Sequence, residues 1–305
     1  MFHVKHEEGV LAEVCDYTGS HYRHDFWEGQ GREYEDLAER IAMRALLPPA
    51  GDALVEIGAG YGRWADLYRG YRRVVLLDYA RSQLEEAQRY LPQPDRYILV
   101  VADVYHLPFV DNLFDVLTMV RVMHHLADVP AALAELQRVV RPEGVVVLEH
   151  ASKCHLKAIA RWLLRRQVWS PFDPQPVEFV KLNFDFHPRW VRQQLAAAGF
   201  RAEAVRTVSH FRTPLLKRWV PSRWLAALDG LAQLTGRWWQ LTPSVFVRVR
   251  AQKPRAGPPA GFFCCPVCRC ADLSPRDTAL VCGGCGRRWS ADGGIYDFKT
   301  PLPPF

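Results

Sequence analysis

Between residues 53 and 150, short runs that are apolar at nearly every position alternate with stretches in which apolar residues recur at every third or fourth place. The runs are "ALVEI", "VVLLD", "YILVVAD", "FDVLTMV" and "VVVLEH"; the periodic stretches are "SQLEEAQRYL" and "PAALAELQRVV". An unbroken apolar run suits a strand covered on both faces, and its exchange with helical periodicity predicts a parallel sheet with helices on either side. Pro130 fits a first helical turn, Leu133, Leu136 and Val140 share a face, and Pro142-Glu143-Gly144 turns the chain into the next strand. Upstream, "REYEDLAERIAMRALL" carries a stripe of Leu37, Ile41, Ala45 and Leu46 and ends at Pro48-Pro49, a helical flank within residues 1–50.

Two stretches break the alternation inside a main domain of residues 51–252 and read as inserted lids. Near 151–187 lies the basic amphipathic "HLKAIARWLLRRQV", with Leu156, Ile159, Ala160, Leu163 and Leu164 on one face and Lys157, Arg161, Arg165 and Arg166 elsewhere. Near 209–243, "SRWLAALDGLAQLTGRWW" separates the strand candidates "FRAEAVRTVS" and "SVFVRVRAQ". "KPRAGPPAG", residues 253–261, reads as a linker to a cysteine-rich segment over 262–305. No internal repeat is visible.

The 305 residues suffice for one full core and a second small unit. No stretch is long and apolar enough to span a bilayer and the N-terminus lacks a signal-like region, so a cytoplasmic protein is expected. The net charge of +6 conceals a division: residues 1–150 carry −9 and residues 151–260 carry +14. The basic region, which also holds seven of the ten tryptophans, suits nucleic acid, anionic lipid or an acidic small molecule, and charge alone does not choose.

Candidate chemistry begins at "EIGAGYG". Gly58, Gly60 and Gly62 follow the first strand run, where missing side chains permit a tight turn and close backbone approach to a ligand. A dinucleotide site would show G-x-G-x-x-G, and Gly62 falls one residue too early for it. Asp78 closes the second strand run, where a carboxylate accepts from two ribose hydroxyls; Asp103 follows the third, where an acceptor reaches an adenine amine. Together they describe an adenosine pocket without a pyrophosphate.

The stretches "EIGAGYGRWADLY", "VVLLDYARSQLEEAQ" and "ADVYHLPFVDNLFDVLTMVRVMHHLADVPAALAELQRVVRPEGVVVLEH" resemble successive motifs of class I S-adenosylmethionine-dependent methyltransferases, type 11-like, from about Ala53 to His150. The resemblance implies a doubly wound, mostly parallel, seven-stranded Rossmann-like sheet ending in a reversed strand. It places Glu56 beneath the methionine end of the cofactor, the three glycines along it, Asp78 at the ribose, Asp103 with Val104 at adenine, Tyr79 among the cofactor-binding residues, and Arg121 near cofactor and substrate.

Methyl transfer from a sulfonium asks the protein mainly to orient a nucleophile and, where needed, to remove its proton. His124 and His125 end "TMVRVMHH", and neutral imidazole is a suitable base near pH 7. His125 is the first choice of catalytic base and His124 the second; packing and loop capping are their structural alternatives. Asp185 and His187 in "NFDFHPRW" are further candidates, and Tyr22 and Trp27 are placed to close over the cofactor from the flank. No Asp/Asn-Pro-Pro-aromatic motif follows the fourth strand, which disfavours methylation of an exocyclic base amine or a glutamine amide. No Pro-Cys nucleophile stands in the core, which disfavours attack on a pyrimidine carbon.

Six of the eight cysteines lie in the last 45 residues. Cys265 and Cys268, then Cys282 and Cys285, form two C-x-x-C knuckles with 13 residues between them. That spacing predicts one tetrahedral Zn²⁺ with four thiolates and no open position, so a structural site. Cys264 and Cys270 flank it as inert residues or alternative ligands. "CCPVC…LVCGGCGRRWSADGGIYDF" resembles zinc-ribbon activators of methyltransferases that act on transfer RNA, ribosomal RNA and translation factors. Three functions therefore remain in view: a methyltransferase for a small hydrophobic, lipid-like or anionic acceptor; one for RNA or a translation factor with its activator fused in cis; and a silent cofactor-binding scaffold.

Overall fold

The computed structural model describes Gly19, Arg23, residues 27–255, Gly257 and residues 259–303. The five continuous runs become parallel strands β1 (Gly51–Ile57), β2 (Tyr71–Asp78), β3 (Tyr97–Val101), β4 (Phe114–Met119) and β5 (Val140–Ala151). A short hairpin, β6 (Val177–Val180) and β7 (Asn183–Asp185), stands apart from the main sheet. Strand β8 (Phe200–Val208) and the reversed strand β9 (Ser244–Ala251) complete one side, with β9 antiparallel to both β5 and β8. The C-terminal segment adds β10 (Leu273–Arg276), β11 (Ala279–Cys282), β12 (Arg288–Ser290) and β13 (Ile295–Leu302). The strand order is β10-β11-β12-β13-β3-β2-β1-β4-β5-β9-β8. The fold is thus α/β and Rossmann-like, with a mostly parallel central sheet.

Successive residues of β1 explain why its run has no polar alternation. Ala53, Val55 and Ile57 enter the core on one sheet face and Leu54 enters the core on the other, so both faces demand apolar side chains. Helices α1 (Glu33–Leu46) and α2 (Arg81–Tyr90) cover the second face through Ala38, Ala42, Met43 and Leu84. Helix α3 (Val129–Val139) covers the first face through Val129, Ala132, Leu133 and Leu136. In the lids, α4 (Leu156–Leu163) precedes the hairpin, α5 (Pro188–Ala197) packs Val191 and Leu195 beneath α3's face of the sheet, and α6 (Pro214–Trp219) and α7 (Ser222–Ala232) lie between β8 and β9.

The C-terminal segment does more than follow a linker. Strand β13 pairs in parallel with β3, Ile295 opposite Leu99 and Asp297 opposite Val101, so it extends the central sheet. Phe262 and Phe263 pack against Phe109. Arg269 pairs with Glu135 at 2.9 Å, and Lys299 donates to the Tyr79 carbonyl at 3.2 Å while lying over its ring.

Candidate active site

The C-terminal ends of β1, β2, β4 and β5 open into one cavity of about 640 Å³. This is where a doubly wound sheet places ligands, because the loops diverge there to opposite faces. Gly58 and Gly60 take positive φ, and a β-carbon on Gly58 would meet Val122 Cγ2 at 2.1 Å. The turn therefore requires glycine on conformational and steric grounds. Asp78 fixes it: Gly60 N–H donates to Oδ2 at 2.8 Å and Ala80 N–H to Oδ1 at 2.9 Å. Each carboxylate oxygen retains acceptor capacity for a ligand hydroxyl.

Glu56 also reaches this cavity, yet it is 1% exposed and its Oε2 has no hydrogen-bond partner among the described residues. Burial raises its carboxyl to about 8, against the opposing hydrogen bond from Tyr68. A buried carboxylate without a partner is costly, and an ammonium group is its natural complement. Next to it, buried Glu39 joins Arg63 and Arg121 in ion pairs. Burial alone would raise Glu39, but Arg121 and Arg63 outweigh it and hold the carboxyl below its ordinary value. Arg121 takes φ +60 and donates its N–H to Glu149 Oε2 at 3.0 Å. Trp27 covers this group, with the Arg63 guanidinium 3.6 Å from its ring centre.

On the opposite wall, His124 and His125 line the cavity with ring centres 4.0 Å apart. Burial lowers the pKa of both, most strongly for His124, which also feels His125 and Arg121. His125 Nδ1 lies 2.9 Å from the Leu182 carbonyl. A carbonyl only accepts, so Nδ1 carries the proton and Nε2 is the basic nitrogen. Asp185, from β7, lines the same wall, and burial raises its carboxyl to about 6 despite Arg161 and Lys153.

The cavity therefore gathers Glu56, Gly58, Gly60, Asp78, Tyr79 and Val104 with Arg121, His124, His125, Asp185 and Trp27. Three expected residues stand outside its wall. Gly62 takes positive φ, but a β-carbon there would meet Leu91 and Leu76, so it serves the packing of α2 on β2. Asp103 turns its carboxylate to Tyr105 N–H at 3.0 Å and to His106, capping its own turn while Ala102 and Val104 form the wall. His187 caps α5 through Arg189 N–H. Tyr22 lies outside the described residues. Residues that sequence reasoning missed include Arg63, Glu149, Ser152, His155, Ser209 and Arg212. Their only signal was position, in the glycine turn, near the end of β5 or in an expected lid.

The four knuckle cysteines converge as their spacing requires, with ligand atoms all within 4.8 Å of one another. Cys265 and Cys285 sulfurs are 3.7 Å apart and those of Cys268 and Cys282 3.5 Å apart. These separations exclude disulfides and approach the edge of about 3.8 Å expected for a tetrahedron of Zn–S bonds. Cys264 turns away to the Phe109 carbonyl at 3.1 Å.

A methyltransferase-domain family model matches residues 55–148. The chain is 29% identical over 187 residues to a demethylmenaquinone methyltransferase of Clavibacter sepedonicus, covering 57% of this chain and 74% of that one. It is 34% identical over 113 residues to a malonyl-[acyl-carrier protein] O-methyltransferase of Serratia marcescens, covering 37% and 43%. It spans about half of a 27-O-demethylrifamycin SV methyltransferase of Amycolatopsis mediterranei at 29% identity over 148 residues, 46% of this chain and 54% of that one. Among solved structures, a Haloferax volcanii complex of the Trm112 methyltransferase activator with a methyltransferase aligns with TM-score 0.54 at 15% identity, covering 76% of this chain and 96% of that chain. That likeness concerns the fold. Among the described residues no helix is long and apolar enough to cross a membrane.

Proposed function

We propose that this chain, a class I S-adenosylmethionine-dependent methyltransferase, methylates a small apolar or lipid-like acceptor that enters beneath its lids. The observation that carries the acceptor class is that the lids line the cavity: its far wall is made by His155, the β6–β7 hairpin, Ser209 and Arg212. The named substrates of the relatives above, a demethylmenaquinone among them, support the same reading.

When bound, S-adenosylmethionine supplies an electrophilic methyl group on a sulfonium sulfur. The protein's own residues fit that group: Glu56 Oε2 would receive the ammonium of its methionine end, Asp78 would accept from the ribose hydroxyls, and Ala102 with Val104 would border the adenine. Tyr79, Gly58 and Gly60 would line the remainder, and Arg121 with Glu39 and Arg63 would close the methionine end under Trp27. Glu39 is occupied by its two arginines, so it does not compete with Glu56. His125 Nε2 would take up the proton released by the acceptor's hydroxyl or acidic carbon. Because burial keeps His125 neutral below its ordinary titration range, the base is available at pH 7.

The test follows S-adenosylhomocysteine formation with organic extracts as acceptor. His125→Ala should slow turnover by ~10²–10⁴-fold with cofactor affinity unchanged, and His124→Ala should do less. Equal loss in both variants, or none, would remove the base from His125.

The cysteine site fits Zn²⁺ with four thiolates and hence a structural role, holding the ribbon that buttresses β3 and Tyr79. One zinc per chain is expected, lost in Cys268→Ser and retained in Cys264→Ser by metal analysis. Equal zinc in the two variants would exclude this ligand set.

A further inference from the structure

The lids leave many of their large apolar side chains in water. Trp219, Trp224, Trp238 and Trp239 are 60% to 73% exposed, whereas Trp27, Trp64 and Trp289 elsewhere are buried. On and after α4, Leu156, Leu163 and Leu164 are more than 60% exposed and Val168 fully so. Arg165 and Arg166 lie among them with no ion-pair partner among the described residues.

These surfaces adjoin one another at the cavity mouth. Leu156 N–H donates to the Leu241 carbonyl at 3.0 Å, next to the Trp238-Trp239 turn. Lys157 Nζ donates to the Arg212 carbonyl at 3.1 Å. His155, Arg212 and Pro243 belong to both this seam and the cavity wall, and Phe179 at the hairpin rim is 55% exposed.

We propose that this face docks on an anionic lipid bilayer, with its leucines and tryptophans at the headgroup boundary, its cations against lipid phosphates, and the cavity mouth turned to the membrane. A helix with leucine on one side and lysine or arginine on the other, beside exposed tryptophan, has the composition of an interfacial element. Charge complementarity selects the occupant. The two lids, residues 151–187 and 209–243, hold eleven Lys and Arg against four Asp and Glu, a net +7, whereas residues 1–150 carry −9, so an anionic surface attracts the lid side and repels the other, while a second copy of the same face would repel. RNA would use the cations and the tryptophans, but leaves exposed Leu163, Leu164 and Val168 without a role. The proposal deepens the lipid-like acceptor reading, and its test reads the surface alone.

The full chain is sedimented with vesicles of phosphatidylcholine alone and with vesicles rich in phosphatidylglycerol, with tryptophan emission followed in parallel. Binding to the anionic vesicles, a blue shift, and weakening by salt are expected. Arg165→Ala with Arg166→Ala should weaken binding by roughly 25-fold, at about fivefold per cation. Trp238→Ala with Trp239→Ala should weaken it about tenfold or more, and both double variants should keep wild-type S-adenosylmethionine affinity as the control for folding. No binding to anionic vesicles, equal binding to neutral ones, tighter binding to structured RNA at physiological salt, or a dimer that shields the tryptophans would each overturn docking. Vesicle binding together with methylation of a protein acceptor would leave docking standing and sink the acceptor reading.

Discussion

The strand side of the cavity is tied into the backbone, whereas the lid side spends its chemistry on surface. Asp78 accepts two backbone N–H groups, Glu56 is buried near the end of β1, and Gly58 has no room for a β-carbon. Across the cavity, α4 buries Ala158 while its leucines point to water, and the tryptophans of α6, α7 and the following turn do the same. One half is shaped by the requirement to fold around a tight turn and a buried acid. The other half keeps apolar area that folding did not consume, which leaves it available for an acceptor or an interface.

This contrast sets the expected size of each perturbation. Leu117 in β4 is fully buried, and Leu117→Ala should cost ~2–5 kcal/mol of stability through lost burial and an unfilled cavity; chemical denaturation measures it, and a loss below 1 kcal/mol would show a core looser than described. Asp78→Ala should weaken cofactor binding by ~1.5–3 kcal/mol, because ribose hydroxyls lose a charged acceptor. Calorimetry giving unchanged affinity would take the ribose away from Asp78.

Glu56 sharpens the comparison by pH. Its carboxyl sits at about 8 before the cofactor arrives, so much of it is protonated at pH 7 and must ionise to receive an ammonium. Affinity should therefore rise as pH rises toward 8, by up to ~1.4 kcal/mol per pH unit on the sloping side, and fall again where the ligand's own ammonium loses its proton. Glu56→Gln should flatten the slope; a flat profile in the unaltered protein would break the assignment. The smallest effect belongs to the lids: Trp239→Ala, at a site 64% exposed, should change stability by ~0.5 kcal/mol or less. A loss comparable with Leu117→Ala would mean that the lid face is part of the core.

The sequence made the strand side legible because each of its signals is local. An unbroken apolar run, a following glycine and a closing acid all fall within a few residues, and strand, turn and carboxylate then meet by sheet geometry. Gly62 and Asp103 show the limit of such reasoning. Both lie in the right turns, but Gly62 packs against Leu91 and Leu76 and Asp103 caps its own turn through Tyr105 N–H, and neither contact is written at those positions. The triad of Glu39, Arg63 and Arg121 joins three elements far apart in the chain, so no spacing announces it. The parallel pairing of β13 with β3 is hidden for the same reason, although the cysteine spacing within the ribbon was sufficient to bring the four sulfurs together.

The central claim is that the fixed half holds S-adenosylmethionine while the lid half admits an apolar or lipid-like acceptor. It is tested most directly by incubating the full chain with S-adenosylmethionine carrying a labelled methyl group and cell material separated into RNA, protein and organic-soluble fractions. The account predicts label in the organic-soluble fraction, and its loss in Asp78→Ala. Label confined to RNA or protein, or label in the organic fraction undiminished by Asp78→Ala, would contradict it.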